Sequence, residues 1–191
     1  MTSQLCGHLN VAARHSSGWD ILQFRVEEPD EQRRGRKIDL IASPCGPTLW
    51  IDGRRCTQFD TLLPIECKRL PTPRDGRRDE REYVIDRRAT TGGIQRFKAG
   101  EHGAAHRLAA MIGYVQADTP PVWHDRVNSW IADLDANREP GWSSADLIHS
   151  QRLEGPDGLA LFRSQHARAK DLADINIRHL WINMSATPRS A

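Results

Sequence analysis

The spacing of apolar and polar positions changes several times along the chain, and each change marks an element. LNVAAR at 9–14 has helical spacing and stops at Ser16-Ser17-Gly18. DILQFRVEE at 20–28 alternates as a strand does, and EPDEQRRGR after it is a charged loop broken by Pro29 and Gly35. KIDLIAS at 37–43 is a short isoleucine-rich run ending at Pro44, which predicts a buried strand. TLWIDGRR and CTQFDTLL predict a hairpin turning at Asp52-Gly53, and LLPIECKRL at 62–70 predicts a further strand. EREYVIDRRA at 80–89 has helical spacing, Gly92-Gly93 breaks it, and IQRFKAGEHG predicts one short helix.

MIGYV at 111–115 reads as a strand, and Pro120-Pro121 opens an amphipathic helix with Val122, Val127, Trp130, Ile131 and Leu134 on one side. Beyond it, ADLIHSQRLE and LALFRSQHAR flank Gly155-Pro156-Asp157-Gly158 as a hairpin, and IRHLWINM at 177–184 is the last strand. Strands and helices without strict alternation predict an α/β domain, a central mixed β-sheet flanked by helices with a C-terminal β-hairpin and strand. One domain is expected over residues 1–191, its core near 19–136 and a β-rich extension near 143–186.

Composition narrows the functional classes. The chain has 191 residues, 38% hydrophobic and 27% charged, enough for one sizeable core. Mean hydropathy is −0.62, and no apolar run approaches the roughly 20 residues of a membrane span. No secretory leader is recognisable, so the cytoplasm is the expected compartment, with Cys6, Cys45, Cys56 and Cys67 as reduced thiols. A net charge of +2 identifies no partner, but arginines gather in EQRRGRK at 31–37, DGRR at 52–55 and KRLPTPRDGRRDER at 68–81, which suggests a phosphate-binding rim.

The candidate chemistry lies in IECK. Residues two apart on a strand share a face, so Glu66 and Lys68 point together while Ile65 and Cys67 point the other way. A lysine beside a carboxylate can stabilise charge developing on a phosphate or orient an attacking water. A metal there needs a second hard oxygen, and Asp39 sits on the preceding short apolar strand; Mg²⁺ suits such a half-filled carboxylate set because it keeps several waters. Asp52 and Asp60 compete with Asp39 for the place of first acid. In GGIQRFKAGEHG, Gln95, Arg96 and Lys98 follow two glycines at a helix start, where free amides favour phosphate, or merely cap a surface helix. Arg69, Arg96 and Lys98 are the candidate backbone-holding cations. Histidines form no zinc pattern; His102 and His106 lack a third ligand. Trp123, Trp130 and Trp142 could stack bases, but Trp130 fits its helix's apolar side, and His179 and Trp181 read as structural.

EPDEQRRGRKIDL at 28–40 followed by LPIECKRL at 63–70 resembles the PD-(D/E)XK, or restriction-endonuclease-like, nuclease superfamily over about residues 25–115. The resemblance implies a restriction-endonuclease-like core that cleaves DNA phosphodiesters with Mg²⁺, or Mn²⁺ in its place, and carries Asp39, Glu66 and Lys68 onto the family's two acids and lysine. It further implies a supporting glutamate, Glu28 or Glu31, and a site-supporting glutamine, Gln95. Ile38 stands where the family often has proline, and the hairpin at 48–55 lengthens the gap to Glu66. The expected partner is nucleic acid, DNA ahead of RNA, with no membrane. No separate sequence-reading module is recognisable, so a helicase, ATPase or other protein of a defence or repair system is a further expected partner. The alternative is a nuclease-like binding or assembly subunit without turnover.

Overall fold

A computed structural model describes residues 1–29, 37–46, 48–51, 53–73, 78–88, 92–168 and 171–185. The elements run α1 (Thr2–Arg14), β1 (Leu22–Pro29), β2 (Lys37–Pro44), β3 (Leu49–Ile51), β4 (Arg54–Cys56), β5 (Leu63–Leu70), α2 (Gly93–Lys98), β6 (Leu108–Val115), α3 (Pro120–Ala136), a 3₁₀ turn (Ser144–Asp146), β7 (His149–Arg152), β8 (Leu159–His166) and β9 (Ile175–Asn183). Seven strands form one mixed sheet in the order β1-β2-β5-β6-β9-β8-β7, with β3-β4 as a separate hairpin. This is the α/β class with helices flanking a central mixed sheet. No helix among the described residues is long and apolar enough to cross a membrane. Packing divides the chain into two compact units, Met1–Glu66 and Cys67–Ala191.

In the first unit β1, β2 and the start of β5 form an antiparallel ladder. Ile38 and Leu40 through Pro44 are buried, as a central strand requires. On the outer side of β1, Asn10 of α1 imitates a strand partner. Its amide donates to the Phe24 carbonyl at 2.9 Å and its carbonyl accepts from the Phe24 N–H at 2.8 Å. The β3-β4 hairpin turns at Gly53, whose φ of 77° suits glycine.

In the second unit β6 pairs with β9 in parallel, and β9, β8 and β7 continue antiparallel. Strand β8 buries Ala160, Phe162, Ser164 and His166 while Leu161, Arg163 and Gln165 face out. The core gathers Val127, Trp130, Ile131 and Leu134 of α3 with Phe162, Ile177 and Trp181 of the sheet and Tyr83 to Ile85 from the loop after β5.

Two expected elements differ. The helix expected over 80–89 is absent from its described residues 80–88, which form turns at 80–84 and 87–88; residue 89 lies outside the described residues. Tyr83, Val84 and Ile85 are all buried, and three consecutive residues cannot share one helical stripe. The carbonyls of Glu82, Tyr83 and Val84 instead accept the first amides of α2, from Gly93, Ile94 and Gln95, at 2.8, 3.2 and 3.0 Å. CTQFDTLL gives only Cys56 to a strand before a turn at 57–60.

Gly92 makes this apposition possible, because a Cβ there would lie 2.3 Å from Ile85 Cα and 2.7 Å from the Asp86 nitrogen. Backbone cannot yield as a flexible side chain does. Gly92→Ala is therefore expected to cost about 3 kcal/mol, the upper part of the overpacking range, as a lower urea midpoint with unchanged slope.

Candidate active site

The acids come from the first unit. Leu40 pairs with Ile65 and Ile41 with Pro64, so one step further along the same register Asp39 stands across from Glu66. Residues directly opposite on antiparallel strands turn their side chains to one face. Glu66 is fully buried and Asp39 half-buried. Two carboxylates placed in this way repel one another, and a divalent cation is the group that converts the repulsion into binding. The residue types fit a hard divalent cation such as Mg²⁺, which takes carboxylate oxygens. Among the described residues no cluster of three or more His, Cys, Asp or Glu is arranged for a metal ion.

Lys68 lies two residues beyond Glu66 on β5, in the second unit. Its ammonium pairs with Glu82 Oε1 at 3.0 Å, both side chains about one-tenth exposed. Arg78 approaches the other oxygen of Glu82 at 3.5 Å. The turn presenting Glu82 is fixed on one side by α2 and on the other by Tyr83, whose hydroxyl meets His179 Nδ1 at 2.8 Å and Trp181 Nε1 at 2.7 Å. Lys68 is thus held by an acid on a braced turn. Glu82 was not singled out in the sequence; the signal for it is an acid directly preceding three apolar residues too closely spaced for an amphipathic helix.

The other expected residues scatter. Glu28 pairs with Ile38 in the β1-β2 ladder and so takes Ile38's face, opposite to Asp39's; its carboxylate is 3.7 Å from Arg25. Glu31 and Asp52 lie outside the described residues. Asp60 closes its own turn, accepting from the Thr57 N–H at 2.6 Å and the Thr57 hydroxyl at 2.8 Å. The Thr57 bonds, backbone first, hold its carboxyl below the usual range. Gln95 Oε1 accepts from the Asp86 and Gly92 amides at 3.1 and 3.3 Å, a loop-tying role.

Among the expected phosphate contacts, Lys98 needs correction. Lys98 is buried and bound to Asp146, with its ammonium 5.0 Å from the centre of the partly buried Trp142 ring, so Lys98 is not presented to a nucleic acid. Arg69 is exposed but alternates with Lys68 and points to the opposite side of β5. Arg96 is half-buried on α2. Trp123 and Trp130 are core residues.

A chain of buried polar groups crosses the second unit, and the sequence did not suggest it. Burial favours the neutral form of both His166 and His179, and with neutral imidazoles and an ionised Asp146 that can only accept, every hydrogen in the chain has one order. Trp181 donates to the Tyr83 oxygen, and Tyr83 to His179 Nδ1. His179 Nε2–H donates to Ser164 Oγ at 2.8 Å, Ser164 to His166 Nε2 at 2.7 Å, and His166 Nδ1–H to Asp146 Oδ1 at 2.6 Å. Lys98 donates to the same oxygen. Both imidazoles are neutral in this order. Burial is the first cause that lowers His166, outweighing the Asp146 hydrogen bond, and burial takes His179 well below its ordinary value. Burial would raise Asp146, but the bonds from His166 and Lys98 hold it below the usual carboxylate value.

No family model, curated protein or solved structure matches the chain.

Proposed function

We propose that the protein is a divalent-metal-dependent nuclease that hydrolyses nucleic-acid phosphodiesters, with DNA as the first substrate to test. The register that sets Asp39 across from Glu66, with Lys68 next on Glu66's face, is the observation that carries this reading. The PD-(D/E)XK resemblance selects the same three residues. Asp39 and Glu66 offer two hard oxygens to Mg²⁺ or Mn²⁺, which when bound supplies Lewis-acid activation of water and phosphate. Lys68 presents a fixed positive charge where negative charge grows on the phosphate. Glu82 orients that lysine, and the arginines near it in sequence add favourable potential for a polyanion. Target choice falls to a protein partner of the helicase or ATPase kind.

Purified protein is expected to cut single- or double-stranded DNA with Mg²⁺ or Mn²⁺ and to stop in EDTA, with RNA assayed beside it. Absence of cleavage of single- and double-stranded DNA and of RNA, together with no Mn²⁺ binding by calorimetry, would overturn the nuclease reading.

A further inference from the structure

We propose that the outward face of β7, β8 and β9 carries a phosphate-binding pocket separate from the candidate nuclease site. The ladder aligns His149 with Arg163 and Arg163 with Arg178, making one cross-strand row of two arginines and a histidine. Gln165 and Asn176 face each other in the adjoining row. Strand alternation turns these groups outward, away from Phe162, Ser164 and His179 on the buried face. Together they line a cavity of about 320 Å³.

Two arginines directly opposite each other repel and weaken a ladder. Among the described residues no carboxylate pairs with either of them; Arg178 donates to Gln151 Oε1 at 3.3 Å, and the nearby Asp174 is engaged by the Gln165 amide at 3.2 Å. An oxyanion seated between the guanidinium forks removes the repulsion. Arginine's planar donors match the tetrahedral oxygens of phosphate, and the two amides add neutral donors at the edge. The lining has no Phe, Tyr or Trp, the larger platforms on which bases stack, and its two guanidiniums favour a phosphate group over a nucleobase. That group comes from a nucleic-acid backbone or end, or from a free phosphate compound.

Binding measured in EDTA keeps this site apart from cleavage. A fluorescent 5′-phosphorylated single-stranded oligonucleotide and inorganic phosphate are titrated into the wild type and into Arg163→Gln/Arg178→Gln. The double variant is expected to bind the oligonucleotide about tenfold more weakly, with a salt slope shallower by about 1.4, the share of two phosphate contacts on a single strand. Phosphate is expected to raise the melting temperature of the wild type and to leave that of the variant unmoved, because a ligand stabilises only the protein that binds it. Loss of phosphate binding with oligonucleotide binding retained assigns the site to a free phosphate compound. Equal binding of both probes by wild type and variant, at equal melting temperature without phosphate, overturns the proposal.

Discussion

Lys68→Ala is expected to slow metal-dependent cleavage by about 10²–10³-fold, the loss typical of removing one preorganised charge from the reacting centre, while divalent-metal affinity stays near that of the wild type. Glu66→Gln is expected to lose cleavage together with metal binding, because it removes one of the two carboxylates that the β2-β5 register, continued one step, sets on opposite strands. The contrast between the variants identifies the roles, since general misfolding would remove both properties in both proteins. The fold should tolerate loss of Lys68, as Glu82 keeps Arg78 at 3.5 Å and its turn remains tied to α2 and to Tyr83. Glu82→Gln is an intermediate case: the lysine keeps its charge but loses the acid that orients it at 3.0 Å. A fall in turnover with unchanged substrate affinity is its expected signature. Cleavage by Lys68→Ala at the wild-type rate would remove Lys68 from the chemistry.

Much of this site was legible because strands expose their geometry through a period of two. The isoleucine-rich run around Asp39 and the alternation in IECK identify two strands, and their antiparallel pairing sets the acids across from each other. The amphipathic stripe of α3 and the C-terminal hairpin were legible for similar local reasons. The segment from Glu80 misled because an apolar cluster flanked by charges, Tyr83 to Ile85, suits a buried loop as well as a helix, and that loop's hydrogen bonds go to a helix about ten residues later. Lys98 misled because a cation after two glycines looks like an anion site, whereas its counter-ion Asp146 arrives from 48 residues along the chain. Glu82, Ser164 and His166 were invisible for the same reason. Their partners are distant in sequence, and no local pattern records a hydrogen bond between strands and loops.

The buried polar chain should dominate stability and its pH dependence. Asp146→Asn is expected to cost about 3–5 kcal/mol, because it leaves the Lys98 ammonium buried without its counter-ion. Lys98→Met combined with Asp146→Asn should be less destabilised than Asp146→Asn alone. It removes both charges and retains an amide carbonyl able to accept from His166 Nδ1–H, so a double-mutant cycle in urea should return a coupling of about 0.5–3 kcal/mol. His166 and His179 give the fold an acid sensitivity of determined sign. Both are held neutral, with pKa values below the ordinary 6.5, whereas in the unfolded chain they take up protons as pH falls past that value. The unfolded state then binds more protons and is favoured, so stability is full above about pH 6.5 and declines below it, by up to about 1.4 kcal/mol per pH unit for each histidine. The depressed Asp146 acts lower, its contribution disappearing only as pH falls below the ordinary carboxylate value of 3.8 and through its own. Urea midpoints at pH 7.5, 6.5 and 5.5 should therefore fall across the lower interval, and His179→Gln should flatten that fall. A midpoint independent of pH from 7.5 to 5.5 would mean that the imidazoles protonate in the folded protein, and the one-directional chain from Trp181 to Asp146 would have to be abandoned.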